Sequence, residues 1–196
     1  ALAELRDTLG ADVAARELVH YIYAVLHAPS YRERYADFLK TDFPRVPFTS
    51  DRDVFNRLCE LGEQLVATHL MTAPELDRPI ATYPVNGTNI VEKTFPKFTH
   101  TQDDAPGAGR IYINRDQYFG DVPESVWQAY IGGYQPAEKW LKDRRARELS
   151  HANLTHYHRL LAALKHTQEL MQQADANFLF AKKESLTKNN ENDEAI

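Results

Sequence analysis

The 196-residue chain has a single cysteine, Cys59, and therefore no internal disulfide to form. Nothing in it points to an oxidising compartment. Its neighbours, Asn56-Arg57-Leu58-Cys59-Glu60-Leu61, place the thiol on the buried side of a helix rather than in the role of a nucleophile. No apolar run approaches a membrane span and no signal-peptide pattern is visible, so the expected setting is the cytoplasm, away from membranes. The first residue is an Ala already inside a helical pattern, as expected for a piece of a longer polypeptide.

Chemistry is scarce as well. Gly107-Ala108-Gly109 lacks the third glycine of a dinucleotide loop, and no Lys-Ser or Lys-Thr follows it as a P-loop requires. There is no nucleophile elbow and no Cys-x-x-Cys pair. Histidines crowd two helical stretches, with His20 and His27 on one and His151, His156, His158 and His166 on the other. Helical metal ligands stand at i and i+4 and converge with a carboxylate. Here the spacings of five and two put the rings on different faces, so no metal site is expected. Asp103-Asp104 and Asp116 fall in loops, where solvation accounts for them. No catalytic residue is expected, and a hydrolase built on the histidines is the weakest reading.

What the chain has is a hydrophobic content of 43%, enough for a core, and an uneven charge. The net charge is −5. Residues 1–77 carry 8 Lys and Arg against 13 Asp and Glu, residues 78–150 carry 10 against 9, and residues 151–196 carry 5 against 6. Local patches rather than the total decide whether a phosphate backbone is attracted.

Periodicity divides the chain into three zones. Leu18, Val19, Ile22, Val25 and Leu26 recur at helical spacing, and Pro29 ends that helix. Ser30 caps a second helix through Leu39, and Asp42-Phe43-Pro44-Arg45-Val46-Pro47-Phe48 is an extended connector. Ser50-Asp51 opens a longer helix to about Met71. The central zone changes period: Asn89-Ile90-Val91-Glu92-Lys93-Thr94-Phe95, Gly109-Arg110-Ile111-Tyr112-Ile113-Asn114 and Val126-Trp127-Gln128-Ala129-Tyr130-Ile131 each read as a strand. A last helix runs from about Ser150 to Gln173 on a stripe of Leu154, Tyr157, Leu160, Leu161, Leu164 and Leu170. The expected fold is α+β, with helical N- and C-terminal segments flanking a small, mostly antiparallel sheet. The expected division is a helical coupling segment over residues 1–77, a sheet-bearing domain over 78–175, and a polar, frayed tail over 176–196.

The richest segment is Tyr130-Ile131-Gly132-Gly133-Tyr134-Gln135-Pro136-Ala137-Glu138-Lys139-Trp140-Leu141-Lys142-Asp143-Arg144-Arg145-Ala146-Arg147. Five cations fall within nine positions, with aromatics interleaved. Arg is forked to suit phosphate or guanine, and flat rings tolerate stacked bases, so the mixture suits a polyanion better than a small metabolite.

Several stretches together resemble the C-terminal region of type ISP restriction–modification enzymes. They are Tyr21-Ile22-Tyr23-Ala24-Val25-Leu26-His27-Ala28-Pro29-Ser30-Tyr31-Arg32-Glu33-Arg34-Tyr35, Phe38-Leu39-Lys40-Thr41-Asp42-Phe43-Pro44-Arg45-Val46-Pro47, Ala73-Pro74-Glu75-Leu76-Asp77-Arg78-Pro79, Arg110-Ile111-Tyr112-Ile113-Asn114 with Gln117-Tyr118-Phe119, and the Gly132 to Arg144 run. The likeness is collinear over about residues 15–175. It implies a target recognition domain at the end of a polypeptide that joins a nuclease, an ATP-driven translocase and an adenine-N6 methyltransferase. S-adenosylmethionine, ATP and Mg2+ would then serve upstream domains, since the cofactor-binding and catalytic motifs of such methyltransferases are missing here. The implied partners are double-stranded DNA and the upstream methyltransferase domain.

For such a module, base-reading candidates are Asn114, Arg115, Gln117, Gln128 and Gln135, because Asn and Gln match adenine and Arg matches guanine in the major groove. Phosphate candidates are Lys93, Lys97, Lys139, Lys142, Arg144, Arg145 and Arg147. Tyr112, Tyr118 and Tyr134 are candidates for stacking, with packing an equal alternative for each. The rival reading is a helical coupling or docking domain of the same enzyme with little DNA contact.

Overall fold

The computed structural model describes Arg6, Leu9 and residues 12–193, with side chains as far as Leu179. Its contacts divide the chain into two compact units, one of residues 1–70 with 167–196 and the other of residues 71–166. The boundaries expected from the sequence lie at 77/78 and 175/176. Six α-helices and a three-stranded sheet are present among the described residues.

The first unit is helical. Helix α1 (Ala15–His27) opens with the Glu17 carboxylate accepting from the Ala14 N–H at 2.8 Å. Pro29 then begins the short α2 (Pro29–Arg34) at its first position, where the missing N–H costs nothing. The expected capping role of Ser30 is not observed, because Ala28 is the N-cap; Ser30 instead donates its N–H and hydroxyl to the Asp175 carboxylate. Helix α3 (Arg52–His69) is capped by Asp51, which accepts from Val54 N–H at 2.9 Å. Tyr21, Val25, Phe55, Leu58, Leu61 and Leu65 form the core of this unit, joined by Leu170 and Phe178. Gly62 lets α1 and α3 approach closely, since a Cβ there would overlap the backbone of His20.

The second unit carries the sheet, in the order β1 (Lys97–Thr99), β2 (Ala108–Tyr112), β3 (Tyr118–Pro123), with both pairings antiparallel. Ile111, Ile113, Phe119 and Val122 point into a core completed by Val91, Val126, Ala137, Leu141, Tyr157 and Leu161. Helices α4 (Glu124–Trp127) and α5 (Pro136–Lys142) follow. Ser150 and Asn153 exchange side-chain-to-backbone bonds, both at 3.2 Å, and start the 43-residue α6 (His151–Asp193).

Two expected strands are not strands. Residues 89–95 make only single bridges, because Asn89 takes a left-handed φ of 54° and the segment bonds to two different neighbours. Residues 126–131 begin as helix: Pro123 leads into α4, and Gln128 Nε2 donates to Glu124 Oε1 one turn back. The backbone of α6 continues helical through the stretch expected to be a frayed tail; the tail's side chains after Leu179, and residues 194–196 altogether, lie outside the described residues.

Candidate nucleic-acid interface

The turn from β2 to β3 is fixed from beneath. The Gln117 side chain is 1% exposed and uses its whole bonding capacity. Its Oε1 accepts from Asn89 N–H at 2.8 Å and Asn114 Nδ2 at 2.9 Å. Its Nε2 donates to Val85 O at 3.1 Å and Asn89 Oδ1 at 2.8 Å. Asn114 Oδ1 accepts from the N–H groups of Asp116 and Gln117, and its Nδ2 also donates to Ile90 O. Asn114 and Gln117, expected to read bases, are therefore interior struts with no group left for a base edge. Arg115, between them, is exposed and makes no side-chain bond among the described residues.

The segment beside this turn brings more cations alongside. Glu92 N–H donates to Ile113 O at 2.9 Å, Val91 N–H to Arg147 O at 3.1 Å, and Ala146 N–H to Val91 O at 2.7 Å. Residues 90–92 thus lie between the end of β2 and residues 145–148. This ladder carries Lys93, Arg115 and Arg147, all exposed and without a side-chain partner among the described residues. Lys97 sits 5.0 Å over the Phe95 ring, and Arg145 donates through Nε to Phe95 O at 2.6 Å. Glu92, Asp116 and Glu148 are interspersed, so the five cations face three carboxylates.

In the basic stretch that begins in helix α5, the two lysines are paired with neighbouring carboxylates. Lys139 pairs with Asp143 at 2.6 Å and Lys142 with Glu138 at 2.7 Å. The Arg144 guanidinium lies 3.6 Å over Trp140 and donates to Trp140 O at 3.0 Å, while Trp140 in turn packs on His156 and Tyr157. Arg144 therefore braces the helix end. Gln135 donates to Trp127 O at 3.3 Å. Tyr112 and Tyr118 pack ring to ring at 5.1 Å, with Arg110 over Tyr118 at 4.8 Å, whereas Tyr134 stands 48% exposed.

Two features carry little signal in the sequence. Asp104, expected to be a solvated loop residue, has a side chain only 6% exposed and bonds Arg110 at 2.9 Å and Thr101 N–H at 2.6 Å. Desolvation acts to raise its carboxyl, but the Thr101 and Arg110 bonds prevail and hold it below the ordinary value. Tyr130 and Ile131, read as strand, are 69% and 49% exposed; the Gly132-Gly133 pair marked the turn that exposes them. Cys59 is buried, and desolvation pushes its thiol up to about 12. Among the described residues no group of three or more His, Cys, Asp or Glu is placed to hold a metal ion, and no helix is long and apolar enough to cross a membrane.

The family model described as the Type ISP C-terminal specificity domain matches residues 1–173. The chain belongs to this family. Comparison with the curated proteins finds no match. Solved structures that share the fold of this Type ISP specificity domain include the following three. One is a nuclease-deletion mutant of the Type ISP restriction-modification enzyme LlaGI in complex with a DNA substrate mimic, at 21% identity and a TM-score of 0.57, covering 83% of this chain and 14% of that one. The second, a DrdV–DNA complex solved by cryo-electron microscopy, has 23% identity and a TM-score of 0.60, with 89% and 19% covered. The third, the ATP-dependent Type ISP restriction-modification enzyme LlaBIII bound to DNA, has 17% identity and a TM-score of 0.59, with 88% and 12% covered. The specificity domain thus spans less than a fifth of the length of the chains it resembles.

Proposed function

We propose that this chain is the module that recognises a specific double-stranded DNA sequence for a type ISP restriction–modification enzyme, in the cytoplasm. It holds the target for adenine-N6 methylation and ATP-dependent cleavage carried out by other domains. S-adenosylmethionine, ATP and Mg2+ belong to those domains, and this chain supplies no catalytic group. One observation carries the reading: the clamped β2–β3 turn and its neighbouring ladder present Lys93, Arg115 and Arg147 to solvent with no side-chain partner among the described residues. Cations left free on a rigid rim are available to phosphates, and a forked guanidinium on a fixed turn also suits a guanine edge.

The acidic excess and long apolar stripes of residues 1–77 support a second role for that helical part, coupling the module to the upstream methyltransferase.

Titration of the chain with duplex DNA across a salt series tests the reading. Log affinity should fall linearly with log salt, and Lys93→Ala or Arg147→Ala should each reduce the slope by about 1. Arg115→Ala should either do the same or relax the preference at one base pair by about 1–3 kcal/mol. A salt-independent affinity, or no binding in low salt, refutes the proposal in favour of docking.

A further inference from the structure

The turn ahead of α5 is built as a rigid, apolar point. Ile131 and Tyr134 exchange both backbone bonds, N–H to O, at 2.9 and 3.3 Å. Gly132 and Gly133 between them have φ values of 60° and 89°, the left-handed pair that a tight two-residue hairpin turn demands. Both feet are fixed. On one side Val126 is buried and Trp127 stacks on Phe98 at 5.7 Å; on the other, Ala137 and Leu141 enter the core. Gln135 ties the two sides through Trp127 O. At the point stand Tyr130, Ile131 and Tyr134, each about half exposed or more. No charged residue occurs from 126 to 137, and the cations of α5 begin at Lys139.

Three exposed apolar side chains gathered on one turn form a contact point, and its size decides what it fits. A stable protein–protein interface takes roughly 800 Å² from each partner, more than a single protruding five-residue turn offers. A base step needs only one or two inserted side chains, with cations close by for the flanking phosphates. Lys139 and Lys142 stand within two turns of helix, and their ion pairs lie at the surface, where phosphate can replace the carboxylates at little cost.

We propose that the turn at residues 130–134 is a wedge that enters the DNA duplex and unstacks a base step. The proposal rests on the DNA-recognition reading above but concerns residues which that reading does not use. A wedge spends binding energy on opening the stack, so a duplex already opened should bind more tightly.

The test compares two duplexes from one random-sequence pool, one fully paired and one with a central mismatch, titrated with the whole chain. The chain should prefer the mismatched duplex by about tenfold. The double variant Tyr130→Ser/Ile131→Ser, whose replaced groups are exposed and whose fold is checked by circular dichroism, should bind both duplexes equally with its salt slope unchanged. Equal affinity of the unmodified chain for the two duplexes overturns the wedge and leaves DNA recognition standing, as does a preference that survives in the variant. If the unmodified chain binds neither duplex, both proposals fall. Should sedimentation show a dimer that the variant dissolves, the point belongs between two copies and the wedge is again overturned.

Discussion

At the scale of single residues, what separates a reader of DNA from a strut is whether a polar group has bonds to spare. Gln117 and Asn114 have none, while Arg115 between them has all of its own. Gln117→Ala should therefore act on folding. It orphans the Asn89 N–H and the Val85 carbonyl and removes a support of Asn114, for a loss of about 2–4 kcal/mol. Gln117→Glu should also destabilise at neutral pH, because it sets a carboxylate oxygen against Val85 O and Asn89 Oδ1 in place of a donor. Arg115→Ala should leave stability within about 0.5 kcal/mol of the unmodified chain. Urea denaturation of the three variants decides it. A Gln117→Ala variant as stable as its parent would mean that the amide is no strut and can turn outward.

At the scale of elements, the stretch from Glu138 to Arg147 shows how unevenly a charge pattern is realised. The five cations at 139–147 look alike in the sequence, yet only Lys139 and Lys142 have ion-pair partners there: Glu138 four residues before Lys142, and Asp143 four after Lys139. Arg144 is different again, since its guanidinium covers Trp140 and its Nη1 serves a helix-end carbonyl. Arg144→Ala should lower stability by about 1–2 kcal/mol and leave the salt slope of DNA binding unchanged. Lys139→Ala should scarcely move stability, because an exposed pair contributes about 0–1 kcal/mol. A reduced slope for Arg144→Ala at full stability would return that side chain to the phosphate contacts. The long helices were legible from local signals, with Asp51 capping α3 and Ser150 opening α6, whereas the single turn of α4 was hidden in a stretch that reads as a strand. The strands were less so. β3 holds Gly120 and ends at Pro123, which masks its alternation, and residues 89–95 alternate like a strand but are set by long-range bonds to Ile113 and Arg147. Exposure of the rim cations depends on those same distant bonds, so the sequence offered twelve polar and charged candidates without ranking them.

At the scale of the whole molecule, charge separates the two units and protonation does not. Residues 71–166 carry 12 Lys and Arg against 11 Asp and Glu, a net of +1, while the other 100 residues carry 11 against 17, a net of −6. Each unit nevertheless holds imidazoles whose pKa lies below the ordinary 6.5. In the first, burial lowers both His27 and His69, whose rings stand 5.3 Å apart; a charge on His27 lowers His69 further. In the second, burial lowers His158, whose Nδ1 is enclosed with no hydrogen-bond partner among the described residues. A folded-state pKa below the unfolded value means that the unfolded chain binds the proton more readily. The stability these rings contribute is therefore complete above pH 6.5 and declines as the pH falls through their folded-state values. Asp104, also depressed, adds a second loss below its ordinary 3.8. Thermal unfolding should show a Tm that is level from about pH 8 to 7 and falls steadily towards about pH 5, well before carboxylates titrate. His158→Gln should flatten the part of that fall which belongs to residues 71–166, and His69→Gln the part which belongs to the helical unit. A Tm that holds constant from about pH 7.5 to 5 would show that these rings take up protons equally well in the folded and unfolded chain.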